Sequence, residues 1–276
     1  MTHLYTRMVF SFTARTFKKL KWVFSVYLLS ADLSSRAKLL LGGIYLTVFD
    51  YRQTRISFCA KLRCNEKCVS IFINNIEDYG LIYEIFILNV YRISCSNIPE
   101  VIVDLGSNIG ISSLYYHTLY PEALIISVEP DPNNFNRLKS NTDGIPTIHA
   151  LNYAVTGKHG AISFYIDPHR GSSSSVMIRR SRQVEYKVES RPLSSIIKSI
   201  GVDKVDILKF DIEGSEECIF RDNINWNNVK NIAGEIHVDL LDSASSIFDT
   251  LDKNFKYTKN RIDNNRFIVK GKIRIN

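Results

Sequence analysis

Seven side chains of this sequence place acid, base and ammonium chemistry at short, regular spacings. Lys209, Asp211 and Glu213 alternate near the end of Val205-Asp-Ile-Leu-Lys-Phe-Asp-Ile-Glu-Gly-Ser-Glu-Glu217, and Glu235 and His237 alternate in Ile232-Ala-Gly-Glu-Ile-His237. Asp104 closes one apolar run, Val101-Ile-Val-Asp104, and Glu129 closes another, Leu124-Ile-Ile-Ser-Val-Glu129. Lys, Asp and Glu are almost never fully buried unless paired, so charges at the ends of apolar runs need a reason. A histidine beside carboxylates is a natural proton acceptor near neutral pH. His237 is therefore the first candidate for a general base and Asp211 the second, with Lys209 and Glu213 orienting them. The competing readings are an internal ion pair that fixes the strand and a histidine hydrogen-bonded for structure.

The stretch Asp104-x-Gly106-x-Asn108-x-Gly110 adds a ligand to this chemistry. A strand feeding a glycine turn and a helix holds nucleotide-like ligands, because glycines admit close backbone approach and the helix start offers free N–H groups. Glu129 lies 19 residues past Gly110, near the roughly 20 expected for a carboxylate that binds ribose hydroxyls. The glycine spacing is not the G-x-G-x-x-G of a dinucleotide site, and Asp104 would repel a pyrophosphate. An acid there suits an ammonium and a sulfonium. S-adenosylmethionine carries both, with a ribose for Glu129. The expected cofactor contacts are Asp104, Gly106, Asn108 and Gly110 along the methionine portion and Glu129 on the ribose. Asn152 to Val155, with Ala154, should border the adenine, and Asp211 the amino acid end or the reacting methyl. Asp211, Glu213 and Glu235 could offer oxygen ligands to a metal, but Lys209 in the same cluster supplies positive charge, so no metal is expected. The bland alternative is a glycine turn that binds nothing.

The elements that must position these groups follow from hydrophobic period and turn residues. Residues 1–50 read as mainly helical with a break at Gly42-Gly43. Arg55 to Ala60 and Val69 to Ile73 read as a hairpin whose loop is Lys61 to Lys67, and residues 76–91 as a helix. Strand and helix then alternate: Val101–Leu105, Ile109–Leu119, Leu124–Glu129, Pro132–Ser140 and Thr147–Leu151. Asp131-Pro132 is a helix start, with Asp as N-cap and Pro at the first helical position. Strands at Ala161–Ile166 and Tyr186–Ser190 flank a polar loop, Gly171 to Ser175, placed over the substrate entrance. Alternation resumes with Lys204–Phe210, Ser215–Phe220, Val229–Ile236 and a helix near Leu240–Leu251. No crossover fits between Phe255–Thr258 and Arg266–Val269, so these strands should be antiparallel. The expected fold is α/β: one doubly wound sheet, mostly parallel, with an antiparallel C-terminal pair, over residues 76–276. A helical and hairpin extension occupies residues 1–75. Ligands of such sheets bind beyond the carboxyl ends of the strands, where Asp104, Glu129, Asp211, Glu235 and His237 should converge.

Composition bounds the class. Of 276 residues, 45% are hydrophobic and 23% charged, ordinary for a globular chain. Five cysteines, an odd number without a framework, argue for a reducing cytoplasm, and Cys64 and Cys68 read as ordinary thiols. The net charge of +7 is uneven: residues 1–63 carry eleven Lys/Arg and two acids, leaving the remainder near −2. Phe10 to Leu29 mixes aromatic and apolar residues with Arg15, Lys18, Lys19 and Lys21, a pattern suited either to peripheral membrane contact or to packing on its own domain. The runs Trp22 to Ala31 and Leu39 to Phe49 are shorter than the about 20 apolar residues that span a bilayer.

Asp104-x-Gly-x-Asn-x-Gly110, Val128-Glu-Pro-Asp-Pro132, Lys209-x-Asp-x-Glu-Gly-x-Glu216 and Glu235-Ile-His237, with the upstream Tyr83-Glu-Ile-Phe86, together resemble the FkbM-type methyltransferase family over about residues 70–260. The resemblance implies a Rossmann-like, S-adenosylmethionine-dependent O-methyltransferase acting on hydroxyls of sugars, glycolipids, polysaccharides or natural products. It departs from the family at Pro192-Leu-Ser-Ser195, where members often carry Leu-Asp. A nucleic-acid methyltransferase would welcome the basic N-terminal part. Amino-group methylation of bases, however, goes with an Asn/Asp-Pro-Pro-Tyr turn where this chain has Asp211-Ile-Glu-Gly214, so nucleic acid is disfavoured. A non-catalytic binding module would be expected to lack Asp104, Glu129 and Asp211.

Overall fold

The computed structural model describes residues 2–49, 56–166, 174–175, 184–241 and 244–274, with backbone alone over 2–13 and 174–175. It divides into two compact units, Met1–Asn89 and Val90–Asn276.

The N-terminal unit holds α1 (Thr2–Tyr27), α2 (Leu33–Val48), β1 (Phe58–Cys64), β2 (Lys67–Ile73) and α3 (Ile76–Ile82). Asp32 caps α2, accepting a hydrogen bond from the Ser35 N–H at 2.7 Å. The expected break at Gly42-Gly43 is absent, and α2 runs through it. Gly43 faces Val23, and a Cβ there would lie 2.6 Å from a Val23 methyl, so this glycine lets α1 and α2 approach closely. The hairpin is longer than its polar middle suggested. β1 and β2 pair from Phe58↔Ile73 to Cys64↔Lys67, leaving a turn of Asn65 and Glu66. Leu62 continues the inward alternation of Ala60, while Lys61 and Arg63 point outward. Asn65 takes a left-handed φ of 52°, which asparagine tolerates. Arg55, the expected first strand residue, lies outside the described residues.

Asn75 and Asp78 form a capping box at the start of α3. A π turn over Tyr83–Ile87 follows, so helical structure stops before Asn89 rather than at Tyr91. The Tyr79 hydroxyl donates to the Leu39 carbonyl at 2.7 Å. α3 is thus built into the N-terminal unit, which runs to Asn89.

The C-terminal unit contains, in chain order, β3 (Val101–Leu105), α4 (Ile111–Leu119), β4 (Leu124–Val128), α5 (Pro132–Thr142), β5 (Ile148–Leu151), β6 (Ala154–Val155), β7 (Gly160–Ile166), β8 (Ser174–Ser175), β9 (Val184–Arg191), α6 (Leu193–Ser199), β10 (Val205–Phe210), α7 (Glu216–Arg221), β11 (Val229–His237), α8 (Ser245–Asn254), β12 (Phe255–Arg261) and β13 (Arg266–Ile273). Seven strands form one sheet in the order β12-β13-β11-β10-β3-β4-β5. Pairing is parallel from β11 to β5 and antiparallel for β11–β13 and β12–β13. This is the mostly parallel α/β sheet with an antiparallel end that the alternation predicts. On one face Val103, Leu105, Ile126, Val128, Leu208, Phe210 and Ile232 pack with Leu193 and Ile196 of α6, Ile219 and Phe220 of α7, and Ile247 and Leu251 of α8.

Three features differ from expectation. β6 to β9 form a separate four-stranded sheet, β6-β9-β7-β8. α6 was not predicted; Pro192, which cannot continue a ladder, ends β9 and starts it. α8 begins at Ser245 rather than near Leu240, which lies in a 3-10 turn. Of the loop expected at 171–175, Gly171 to Ser173 lie outside the described residues, and Ser174-Ser175 pair with β7.

Candidate active site

The sheet topology carries the charged strand ends to one edge and sorts them into two clusters joined by the glycine turn.

Beneath the turn, strand register alone aligns Lys209, Asp104 and Ser127 as neighbours across β10, β3 and β4. All three are buried. Lys209 Nζ lies 3.0 Å from Asp104 Oδ1 and donates to the carbonyls of Gly106 at 2.8 Å and Leu105 at 3.2 Å. Ser112 and Ser113, on the first turn of α4, donate to Asp104 Oδ2 at 2.6 and 2.7 Å. Asp104, expected to face the ammonium of a ligand, instead meets an ammonium of the protein itself. Lys209, expected beside Asp211 and Glu213, holds the turn from below.

The turn above takes left-handed φ at Gly106, Asn108 and Gly110. The N–H groups of Gly106 and Ser107 both donate to the Val128 carbonyl, and the Asp211 N–H to Leu105. A Cβ on Gly106 would run into the Asp211 carbonyl oxygen. Gly106→Ala is therefore expected to destabilise by about 3 kcal/mol, from about 1–2 for the left-handed backbone and about 1–3 for the clash. Urea unfolding checks this; a loss within 0.5 kcal/mol of zero, the size of a neutral surface change, would contradict it.

Glu129 sits just past β4 with both oxygens engaged. The Asn108 N–H donates to Oε2 at 2.8 Å and the Asp131 N–H to Oε1 at 2.9 Å. Burial pushes its carboxyl up to about 8, against these two bonds, which favour the anion. Asn152 donates to the carbonyls of Glu129 and Pro130 at 2.8 and 3.1 Å, so it shapes the same corner, and Ala154 is buried at the start of β6. Asp131 caps α5 ahead of Pro132 as the sequence predicts.

The second cluster surrounds His237, the last residue of β11, which is 2% exposed. Its Nδ1 lies 2.7 Å from Glu216 Oε1. Its Nε2 faces Glu235, Glu213 and Asp211 at 3.6, 3.7 and 3.9 Å. Glu216 is fully buried and is anchored by the Gly214 N–H at 2.9 Å. Glu213 does not extend the alternation of β10: the strand ends at Phe210, and Glu213 takes φ 49° in the following turn. A left-handed glutamate is strained, and such strain clusters at functional sites. Tyr91 joins the clusters. Its hydroxyl donates to Asp211 at 2.9 Å and reaches Glu235 at 3.4 Å, while Lys209 Nζ sits 5.1 Å from its ring centre.

Burial alone would lower the pKa of His237, but the hydrogen bond to Glu216 and the charges of Asp211 and Glu213 push it up to about 9. Burial first, then the charge of Asp211, raises the carboxyl of Glu235, against His237 and Arg266. Arg266 Nη1 lies 3.5 Å from Glu235. Asp211, Glu213 and His237 offer ligand atoms within 4.8 Å of one another and could hold a metal. The charge of Lys209, the reason for expecting none, is directed to Asp104; among the described residues His237 and Arg266 are cations that face this cluster. Glu216, Tyr91 and Arg266 were not among the expected site residues. Glu216 alone had a signal, the last position of Lys209-x-Asp-x-Glu-Gly-x-Glu216.

A mostly parallel seven-stranded sheet with a glycine turn after β3, an acid after β4 and an antiparallel end defines the Rossmann-like methyltransferase class. The profile of the Methyltransferase FkbM domain matches residues 104–257. The chain belongs to that family. It is similar to Methyltransferase sdnD of Sordaria araneosa, 27% identical over 199 residues that cover 59% of this chain and 76% of the relative. It is also similar to Hexuronic acid methyltransferase AglP of Haloferax volcanii, 29% identical over 140 residues, 50% of this chain and 56% of the relative. A third relative is 2-O-methyltransferase NoeI of Sinorhizobium fredii, 25% identical over 150 residues, 48% of this chain and 62% of the relative.

Proposed function

We propose that the chain moves a methyl group from S-adenosylmethionine to a hydroxyl of a sugar, glycolipid, polysaccharide or natural-product acceptor. The observation that carries this reading is the buried His237–Glu216 pair, whose Nε2 opens onto a ring of carboxylates at the strand ends. With Glu216 accepting from Nδ1, neutral His237 presents its Nε2 lone pair to that ring, the form needed to take a proton from a hydroxyl. The name of one relative, a 2-O-methyltransferase, supports transfer to oxygen.

The residues present fit the cofactor. Asn108 Oδ1, on the glycine turn, is buried with no hydrogen-bond partner among the described residues. Gly106, Asn108 and Gly110 would line the methionine portion, Glu129 would hold the ribose hydroxyls, and Asn152 and Ala154 would border the adenine. Asp104 would serve the same site from below by fixing the turn. When bound, the cofactor supplies an electrophilic methyl on a sulfonium. The chain's own part is positioning and proton uptake. His237 accepts the proton at Nε2, Glu216 keeps the ring oriented, and Asp211 and Glu213 accept hydrogen bonds from acceptor hydroxyls. Four carboxylates around one imidazole favour a neutral, hydroxyl-rich group here over an acidic one.

The experiment is to incubate lipid and polysaccharide extracts with methyl-labelled cofactor and follow the label. The companion measurement is calorimetry on Glu129→Ala, with an expected loss of cofactor affinity of about 100-fold, the size of two hydrogen bonds to the ribose at about 1.5 kcal/mol each. Unchanged affinity would remove the ribose assignment.

A further inference from the structure

The helices of the N-terminal unit have a feature that methyl transfer does not use. α2 is apolar on two opposite sides. One side, with Ser35, Leu39, Gly43 and Leu46, is buried within its own unit. The other carries Leu33, Ala37, Leu41, Ile44 and Val48, spaced by four, four, three and four residues, a stripe along one helix face. Leu33, Leu41 and Val48 are 81%, 68% and 66% exposed. Exposed Phe17, Phe24 and Leu28 form a second such set on α1. Single exposed apolar residues are unremarkable, but a continuous stripe on a folded unit marks an interaction surface.

Charge identifies the occupant. Residues 14–49 contain six Lys/Arg and one acid, Asp32. That acid already caps α2 through the Ser35 N–H. Arg36 and Lys38 are exposed and, on the helical wheel, flank the stripe on either side, while Lys18 and Lys21 are exposed among the apolar residues of α1. Long basic side chains beside an apolar helix face let that face enter a lipid interface while the cations reach the headgroups. A second copy docked face to face would set these cations against their own likenesses, and a nucleic acid has no use for the leucines between them. Among the described residues no helix is long and apolar enough to cross a membrane, so the contact is peripheral.

We infer that the outward face of α2, with Arg36 and Lys38 at its edges and the exposed face of α1 beside it in sequence, docks the protein on an anionic lipid surface. The test is co-sedimentation with vesicles of phosphatidylcholine alone and of phosphatidylcholine with phosphatidylserine. The wild-type chain should bind the anionic vesicles about tenfold or more tightly than the neutral ones, and added salt should weaken this, as screening requires. Leu41→Ser/Val48→Ser should reduce that binding about tenfold, with circular dichroism and melting temperature unchanged because these side chains are 68% and 66% exposed. If that pair fails to fold, Leu33→Ser/Leu41→Ser reads the same face. Three results would overturn the inference: no binding to either vesicle, equal binding by wild type and variant, or a dimer that the substitutions dissociate. Tighter binding to an RNA homopolymer than to the anionic vesicles would also overturn it.

Discussion

His237→Ala lowers kcat by about 10²–10⁴-fold, the usual contribution of a positioned proton acceptor, and leaves the cofactor affinity as it was. The acceptor role also fixes a pH signature. The surrounding acids hold the native imidazole at about 9, whereas an unfolded chain titrates at about 6.5. The native state therefore keeps its proton longer. The stabilisation this represents is complete below about 6.5 and is lost as pH rises through about 9. The neutral base appears over the same upper range, so kcat/KM should climb with pH towards about 9, and the ascending limb should vanish in His237→Ala. Glu216→Gln keeps the shape of the partner and removes its charge. Its limb should move to lower pH, with the cofactor affinity unchanged. Turnover near wild type in His237→Ala would demote the histidine to a structural group; a limb unmoved in Glu216→Gln would remove Glu216 from its positioning role.

The positions of His237 and Asp211 were legible in the sequence because strand alternation and the rule of carboxyl-end binding act locally. A polar residue two places from another on an apolar run lies at the same end of the same strand, and parallel pairing brings such ends together. The identity of partners was less legible, because it depends on register between strands far apart in sequence. Nothing local to Val101–Leu105 says that Asp104 sits opposite Lys209, 105 positions later. Read alone, Lys209 joined the nearest acids, Asp211 and Glu213; register gave it to Asp104. Glu213 reaches the expected cluster by a route that alternation does not describe. Alternation assumes extended backbone, and the chain leaves the strand at Phe210 and turns left-handed at Glu213. Tyr91 had no signal, since it belongs to an irregular segment and its role exists only through Asp211 and Glu235. In the N-terminal unit the same limit appeared at Gly43, where a residue type that usually breaks a helix serves close packing against Val23.

Register also decides the second large effect. Lys209→Met should destabilise the fold by about 3 kcal/mol, the lower end of the about 3–5 kcal/mol that follows from breaking a buried ion pair. The lower end applies because Ser112 and Ser113 still donate to Asp104 Oδ2, so the abandoned carboxylate is not bare. The methionine fills much of the lysine's volume, which keeps a cavity from adding to the loss. Replacing both partners, Asp104→Leu with Lys209→Met, removes the uncompensated charge and should recover part of that stability. The recovery should be incomplete, because the Gly106 carbonyl and the Ser112 hydroxyl each lose a hydrogen bond in the double variant, whereas Leu105 keeps the Asp211 N–H and Ser113 keeps Ser127. Urea unfolding of the two single variants and the double one completes the cycle, and a coupling energy above about 1 kcal/mol marks a direct pair. The alternative role for Lys209, orienting acids beside the acceptor, makes the opposite forecast. Lys209→Met would then unfold like wild type and lose turnover alone. Because Lys209 also donates to the Gly106 carbonyl, the stability loss should be accompanied by weaker cofactor binding, the turn above having lost its support from below.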